Sequence, residues 1–561
     1  MFARRVLSLL FVWASFSPVA AFAQLDGQED LDKALDAKIN AQTLPELTEV
    51  INLAQSALDK GLEEGDADFA KNLLASTLQQ RAEAISEHLS EGMQTRLGDP
   101  EFRQEYAQLR RAATYDLERA LRHVDDSAGT HLLLGKLHSM PGGDQDRARK
   151  ALDEAVRLSA DDGPVLSQSL VARGRLQEDP QDRLKDFDAA VAADDHSAEA
   201  LQVRGMARLA LGQTEEGVAD LGAAVELDPE NVESLQTYAV AMSALRRFDE
   251  ALKSMDAAIE LSPESPSLHG QRARIHQEMG STAAAIADFT KSLELFPENP
   301  ALLLLRAGAH QQAEDFDAAL ADVEQALQLQ PQYVPALRAR ALLRAGEGNF
   351  EEAIGDLNAA LEITPEDPEL LVRRGIYYNL TKNVRKAIDS FNAALKIAPE
   401  FAAAYQSRAD ALLNVGRQAE ALKDYEQANK FSPDNTGVLN NMAWLMATSP
   451  DEQLRDGQRA IELATKACEL TEFQQSHILS TLAAGYAESG DFDTAIEWSS
   501  KAVELAEETD DPAIKEQLAQ ELASYREKKP WRELEPGVNV AEAAEEPAGD
   551  LPRREDVEAA E

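Results

Sequence analysis

Cysteine is almost missing from this chain: Cys468 is the only one in 561 residues, so no disulfide can form within the chain and packing has to stabilise the fold. It lies on a helical pattern, Ala464-Thr465-Lys466-Ala467-Cys468, and reads as a small buried hydrophobe. Aromatic residues make up only 6% and runs of β-branched residues are scarce, whereas Ala, Leu, Glu and Gln abound, which predicts an all-α protein. Catalytic signatures are missing as well. There is no G-x-S-x-G, no phosphate-binding G-x-x-x-x-G-K-[ST], no H-E-x-x-H and no C-x-x-C. The nine histidines are scattered; His131 with His138, and His269 with His276, could each share a helix face, but a metal needs three or four converging ligands. Asp144-Gln145-Asp146 and Asp161-Asp162-Gly163 lack the remaining oxygen ligands of a calcium loop. The sequence therefore predicts no enzyme, no cofactor and no metal site.

Positive charge is also in short supply. Against 100 Asp and Glu stand 55 Lys and Arg, a formal charge of -45 that repels the phosphates dominating nucleic-acid affinity, so nucleic acid is set aside as a partner. At 561 residues the chain exceeds what one compact core can organise, roughly 250–300 residues, and has to be multidomain or a solenoid.

The first 23 residues read as a signal peptide: Arg4 and Arg5 precede an apolar stretch from Val6 to Ala21, and Ala21-Phe22-Ala23 forms a small-residue cut site. Export to a periplasmic or secreted location is expected, with no stable membrane insertion after cleavage. Retained, the same segment would be an anchor, since its length approaches that of a bilayer span.

What is present in force is a period. Pro229, Pro263, Pro297, Pro331, Pro365, Pro399 and Pro433 follow one another at intervals of 34 residues. Proline lacks the N–H a helix interior needs and biases the residue before it away from helix, so each closes one helix pair before the next begins. With the proline at place 32, place 8 holds Gly205, Ala239, Ala273, Ala307, Ala341, Gly375, Ala409 and Ala443. Place 20 holds Gly217 and then alanines from Ala251 to Ala421, and place 27 holds Ala224, Ala258, Ser292, Ala326, Ala360, Ala394 and Ala428. Small residues at these places let two antiparallel helices approach closely; larger ones would overpack by about 1–3 kcal/mol.

Place 7 carries Arg204, Arg272, Arg306, Arg340, Arg374 and Arg408, and five of these six repeats have an aspartate at place 23: Asp220, Asp288, Asp322, Asp356 and Asp424. The repeat with Tyr238 in place of the arginine has Ser254 in place of the acid. Loss of both together predicts a bidentate Arg–carboxylate bond between the two helices of one repeat. Arg374 departs from the rule, with Ser390 at place 23 and Asp389 beside it.

The 34-residue period, the small-small-small-proline pattern and the aromatic place 24 of Phe289, Phe391 and Tyr425 resemble the tetratricopeptide-repeat (TPR) family. The resemblance is tight over residues 198–435. It implies a right-handed α-solenoid of stacked antiparallel helix pairs, a TPR superhelix, whose first helices line a concave groove through places 2, 5, 9, 12 and 13. Among the residues carried onto those places, Gln202, Gln236, Arg274, Gln277, Gln311, Arg338, Asn379, Gln406, Asn414, Asn440 and Trp444 are the candidate peptide-binding residues, since carboxamides offer the donor and acceptor that a peptide backbone needs. The same places also carry Met206, Leu209, Val240, Leu304, Leu342, Val372, Ile376 and Leu413, and the interspersed Leu, Val and Ile with Trp444 give apolar contact. With only Arg274 and Arg338 cationic, a clamp for a terminal carboxylate is disfavoured.

Around the regular block, residues 24–127 read as a helical N-terminal cap and 128–197 as two degenerate repeats. Residues 436–509 form two divergent repeats, the first with its loop at Ser449-Pro450-Asp451 lengthened by about five residues and the last ending at Glu507 where a proline would stand. A C-terminal helix and turn over 510–534 follow, with Trp531 placed to dock on the last helix. The Glu-, Ala- and Pro-rich tail from 535 to 561 is predicted to be disordered. The expected function is non-enzymatic binding of a protein or peptide in the concave groove, as a scaffold; the alternative is an envelope structural or self-assembling protein.

Overall fold

In a computed structural model the chain is described over residues 26–95, 100–507 and 511–533, all of it helices and turns without a strand among the described residues. The expected signal peptide and acidic tail lie outside them. By its internal contacts the chain forms two units, up to Leu268 and from His269.

The first unit opens with four helices, α1 (Gln28–Asn40), α2 (Leu44–Lys60), α3 (Glu64–Thr95) and α4 (Pro100–Ala120), each packed on the next. Arg81 joins α3 to α4 through two 2.7 Å bonds to Asp116. Two looser pairs follow: α5 (Ala128–Ser139) with α6 (Gln145–Leu158), and α7 (Gly163–Gly174) with α8 (Pro180–Ala193). The regular repeats begin with α9 (Ala198–Ala210), α10 (Thr214–Leu227), α11 (Val232–Ala244) and α12 (Phe248–Leu261). Helices α5, α7, α9 and α11 also touch one another in succession, so the first helices form a layer of their own.

Helix α13 (Pro266–Glu278) crosses the boundary. The second unit continues with α14 (Thr282–Leu295), α15 (Pro300–Gln312), α16 (Phe316–Leu329), α17 (Val334–Gly346), α18 (Phe350–Ile363), α19 (Pro368–Leu380), α20 (Val384–Ile397), α21 (Ala402–Leu413) and α22 (Gln418–Phe431). Helix α23 (Thr436–Thr448), a 3-10 turn at Glu452–Leu454 that takes up the expected lengthening of the loop, α24 (Gly457–Leu470), α25 (Ser476–Glu488), α26 (Phe492–Ala506) and α27 (Pro512–Arg526) complete it.

Every first helix from α9 to α23 starts at place 1 and every second helix from α10 to α22 starts at place 17. Local chemistry fixes those ends. The residue before the repeat is a cap in most copies: Asn231, Asn299 and Asn435 accept from the backbone N–H three residues on at 3.0–3.1 Å, a device worth about 1 kcal/mol. The residue before each closing proline leaves the helical region, with Ser432 at φ -138° and ψ 76° and its N–H still bonded to Ala428, in keeping with the bias of a pre-proline position away from helix. The turn between the two helices needs a left-handed residue. Gly212, Gly280, Gly348 and Gly416 supply it in alternate repeats, while Arg246, Glu314 and Lys382 are held near φ 60° in the repeats between.

The core follows the small places. Ala307, Ala319 and Ala326, and their counterparts in the neighbouring repeats, are buried with Phe289, Val323, Leu357 and Phe391. At Gly375 even a methyl group would come within 2.5 Å of the Phe391 ring. Cys468 is buried among Ala467, Ala464, Met442 and Leu479, and burial pushes its thiol up to about 12, which keeps it protonated and inert.

Candidate binding groove

Packing decides which face of each first helix remains open. Places 3, 4 and 8, such as Ala336, Leu337 and Ala341 of α17, are buried against the second helices. Helical geometry then turns place 9 away from them. Large apolar side chains stand there in water: Met206 and Val240 in the first unit are 51% and 52% exposed, Leu342 and Ile376 in the second 48% and 39%. In each unit two neighbouring first helices thus carry an exposed apolar side chain at place 9.

The carboxamides divide into two groups. Gln202 is buried, accepting from Ser234 Oγ at 3.2 Å and donating to Thr237 Oγ1 at 3.1 Å, so it ties α9 to α11. Asn414 donates to Asn379 at 3.2 Å between α21 and α19, and Gln406 accepts from Asn435 at 3.0 Å. These four side chains hold neighbouring first helices in register. Asn440 donates to Asn441 at 3.4 Å and its buried Oδ1 has no partner among the described residues. Gln236, Gln277 and Gln311 are half-buried on the same layer. Arg274 is exposed, and Arg338 lies 3.7 Å from Glu369, both of that pair well exposed. A shallow cavity of about 670 Å³ opens among Arg274, Gln277, Glu278, Leu305 and Gln312.

Trp444 is engaged by the chain itself. Its indole N–H donates to Glu533 at 2.6 Å, the Glu533 N–H donates to Thr448 O at 3.1 Å, and Arg532 reaches Ala447 O and Glu488. Trp531 packs beside Tyr525, Tyr486 and Phe492. The segment after α27 thus runs back over α23 and α25, a contact that no repeat pattern could announce.

The arginines of place 7 serve the scaffold. Arg204, Arg272, Arg306, Arg340 and Arg408 each place Nη2 2.6 Å from Oδ1 of the place-23 aspartate and Nε 2.7–3.0 Å from Oδ2. Each of these aspartates is buried, 4–7% exposed. Arg374 uses Ser390 Oγ instead, at 3.2 Å.

The remaining nitrogen reaches backward to place 25 of the preceding repeat: Arg306 to Thr290 at 3.1 Å, Arg374 to Asn358 at 3.0 Å, Arg408 to Asn392 at 2.5 Å. Place 25 holds Asp188, Asp256, Thr290, Glu324, Asn358 or Asn392 wherever an arginine follows, and Gly222 where Tyr238 follows. The pairing joins adjacent repeats, and Glu426, which precedes Met442, departs from it.

Elsewhere, polar groups serve structure. Asp410 accepts from Tyr425 and Asn441, and burial holds its carboxyl above the ordinary range. Among the described residues, one grouping of three metal-capable side chains occurs, Asp194, Asp195 and His196. It lies in an exposed turn where Asp194 caps the His196 N–H and Asp195 contacts the imidazole. No described helix is long and apolar enough to cross a membrane.

Comparison with known proteins bears on this frame. Four tetratricopeptide-repeat family models match residues 208–275, 271–334, 305–376 and 402–435. Residues 208–376 and 402–435 are thus tetratricopeptide repeats. Among solved structures it is similar to a tetratricopeptide repeat protein from Parabacteroides merdae, at 21% identity over 43% of this chain and 96% of that one, with a TM-score of 0.35. It is similar also to the APC/C hetero-tetramer Cut9–Hcn1, at 14% identity over 82% of this chain and 96% of that one, TM-score 0.34. YrrB, described as a TPR protein with an unusual peptide-binding site, matches at 22% identity over 33% of this chain and 95% of that one, TM-score 0.28. No curated protein matches in sequence.

Proposed function

We propose that the chain is a non-enzymatic scaffold that binds a protein or peptide along its first helices, in an exported compartment, periplasmic or secreted. The observation that carries this reading is place 9, where Met206 and Val240 in one unit and Leu342 and Ile376 in the other are left exposed at equivalent positions. Each is about half exposed, so a partner that covers it recovers roughly half of the ~1.5–3 kcal/mol that full burial of such a side chain contributes. The half-buried carboxamides beside them offer both donor and acceptor to a peptide backbone. The export reading is supported by the arginine-led apolar segment and cut site at residues 1–23.

The test is recovery of partners from the exported fraction by immobilised protein. A variant carrying Met206→Glu, Val240→Glu, Leu342→Glu and Ile376→Glu should lose most of the bound protein, while Glu362→Ala on the second helix of its repeat should lose none. Equal recovery by all three would contradict the groove.

A further inference from the structure

Eight first helices run from α9 to α23, and seven carry a side chain at place 9: Met206, Val240, Arg274, Leu342, Ile376, Asp410 and Trp444. The eighth, α15, has Gly308. Glycine is the poorest helix former after proline, and here neither a tight turn nor a close backbone contact calls for it. A Cβ built at Gly308 would meet only the amide nitrogen of Gln277, at 3.8 Å. Gly308 lies within one turn of Leu305 and Gln312 on α15, which with Arg274, Gln277 and Glu278 of α13 line the cavity of about 670 Å³.

The lining selects a chemistry. Arg274, Gln277 and Gln312 make no side-chain hydrogen bond or ion pair among the described residues, so their donors and acceptors face solvent. One cation and one carboxylate stand in the wall together, so an anion meets the charge of Glu278 and a cation that of Arg274. A neutral group that donates and accepts in one plane suits both carboxamides at once, and Leu305 offers apolar contact to a short methylene stem. A carboxylate can only accept and an ammonium can only donate; a carboxamide does both.

We propose that the pocket between Arg274, Gln277, Leu305 and Gln312, beside Gly308, takes a glutamine or asparagine side chain of the bound peptide, making it a specificity-determining subsite of the groove. The proposal rests on the groove reading above.

A library of random dodecapeptides displayed on phage, panned on the full chain, provides the test. Peptides selected by the wild type should share a carboxamide residue, and replacing that residue by Glu or Leu should weaken binding at least tenfold. Gly308→Leu, which sets a side chain against the Gln277 amide at the edge of the pocket, and Gln277→Leu, which removes one amide, should each weaken it tenfold or more with thermal unfolding retained. Peptides that lose binding to Leu342→Glu but bind wild type and Gly308→Leu alike, or that tolerate Gln→Glu, would overturn the pocket and leave the groove standing. Peptides indifferent to Leu342→Glu and Gly308→Leu together, or a library that yields no binder, would overturn both.

Discussion

The regular repeats and the C-terminal end of the second unit solve the same packing problem differently. From α15 to α22 one bond type is copied: a place-7 arginine grips a buried partner at place 23 of its own repeat, and in three of the four copies its other nitrogen reaches place 25 of the repeat before. At the end, place 7 becomes Met442 and the copied bond stops. Single long-range contacts replace it: Ser480 donates to the fully buried Glu521 at 2.5 Å, whose other oxygen accepts from Gln517 of the same helix at 2.9 Å, and Glu533 meets Trp444. A solenoid interior can reuse one solution because every repeat has the same neighbours on both sides. An end has a neighbour on one side only, so its solutions are particular.

Four experiments sharpen that contrast. The largest effect is expected in the copied part. Asp322→Ala leaves the Arg306 guanidinium, 19% exposed, without its acid and should cost about 2–3 kcal/mol, less than a fully buried pair because water reaches the arginine. Urea unfolding should show Arg306→Ala and Asp322→Ala together costing clearly less than their sum; additivity would remove the coupling.

At the end, Glu521 should confer pH dependence. Burial raises its carboxyl above 4.5, outweighing the bonds from Ser480 and Gln517. A carboxyl whose folded value is raised binds more protons folded than unfolded, so its contribution is full below 4.5 and is lost as pH rises through the folded value. Hydrogen exchange of α27 should therefore quicken, beyond its intrinsic pH dependence, as pH rises from 4.5. Glu521→Gln should abolish that excess and stabilise α27 by roughly 1–2 kcal/mol at neutral pH; an unchanged excess would refute it.

The inter-helix turn offers a smaller test inside the regular block. Glu314→Gly should stabilise by roughly 1 kcal/mol and Gly348→Ala should destabilise by about as much, since both positions are left-handed. Thermal unfolding with no opposite shifts would contradict this. Smallest of all, Glu533→Ala should lower stability by less than about 1 kcal/mol while shifting tryptophan fluorescence, because the Trp444 indole loses its acceptor. An unchanged spectrum would mean that the segment does not rest there in solution.

Much of this was legible in the residues. The prolines and small places set the helix starts from Ala198 to Thr436, because a 34-residue pattern averages over local noise. The Arg–Asp bonds were legible because Tyr238 and Ser254 changed together. The site was less so. Place assignment alone put Gln202, Asn379 and Gln406 on the first-helix layer but could not show that they bond to neighbouring helices, since that depends on rotamers and on residues 29–35 positions away. Nor could it show Trp444 held by Glu533, a contact across 89 residues with no counterpart in any repeat.

The claim on which the functional account turns is that partners cover the place-9 side chains of each unit. A photo-crosslinking benzoylphenylalanine placed in turn at positions 206, 240, 342 and 376 tests it, with positions 226 and 362 on the second helices as references. Exposure to the exported fraction and light should give partner adducts from the first four and none from the last two. Adducts from positions 226 and 362 with none from the first four would contradict the account.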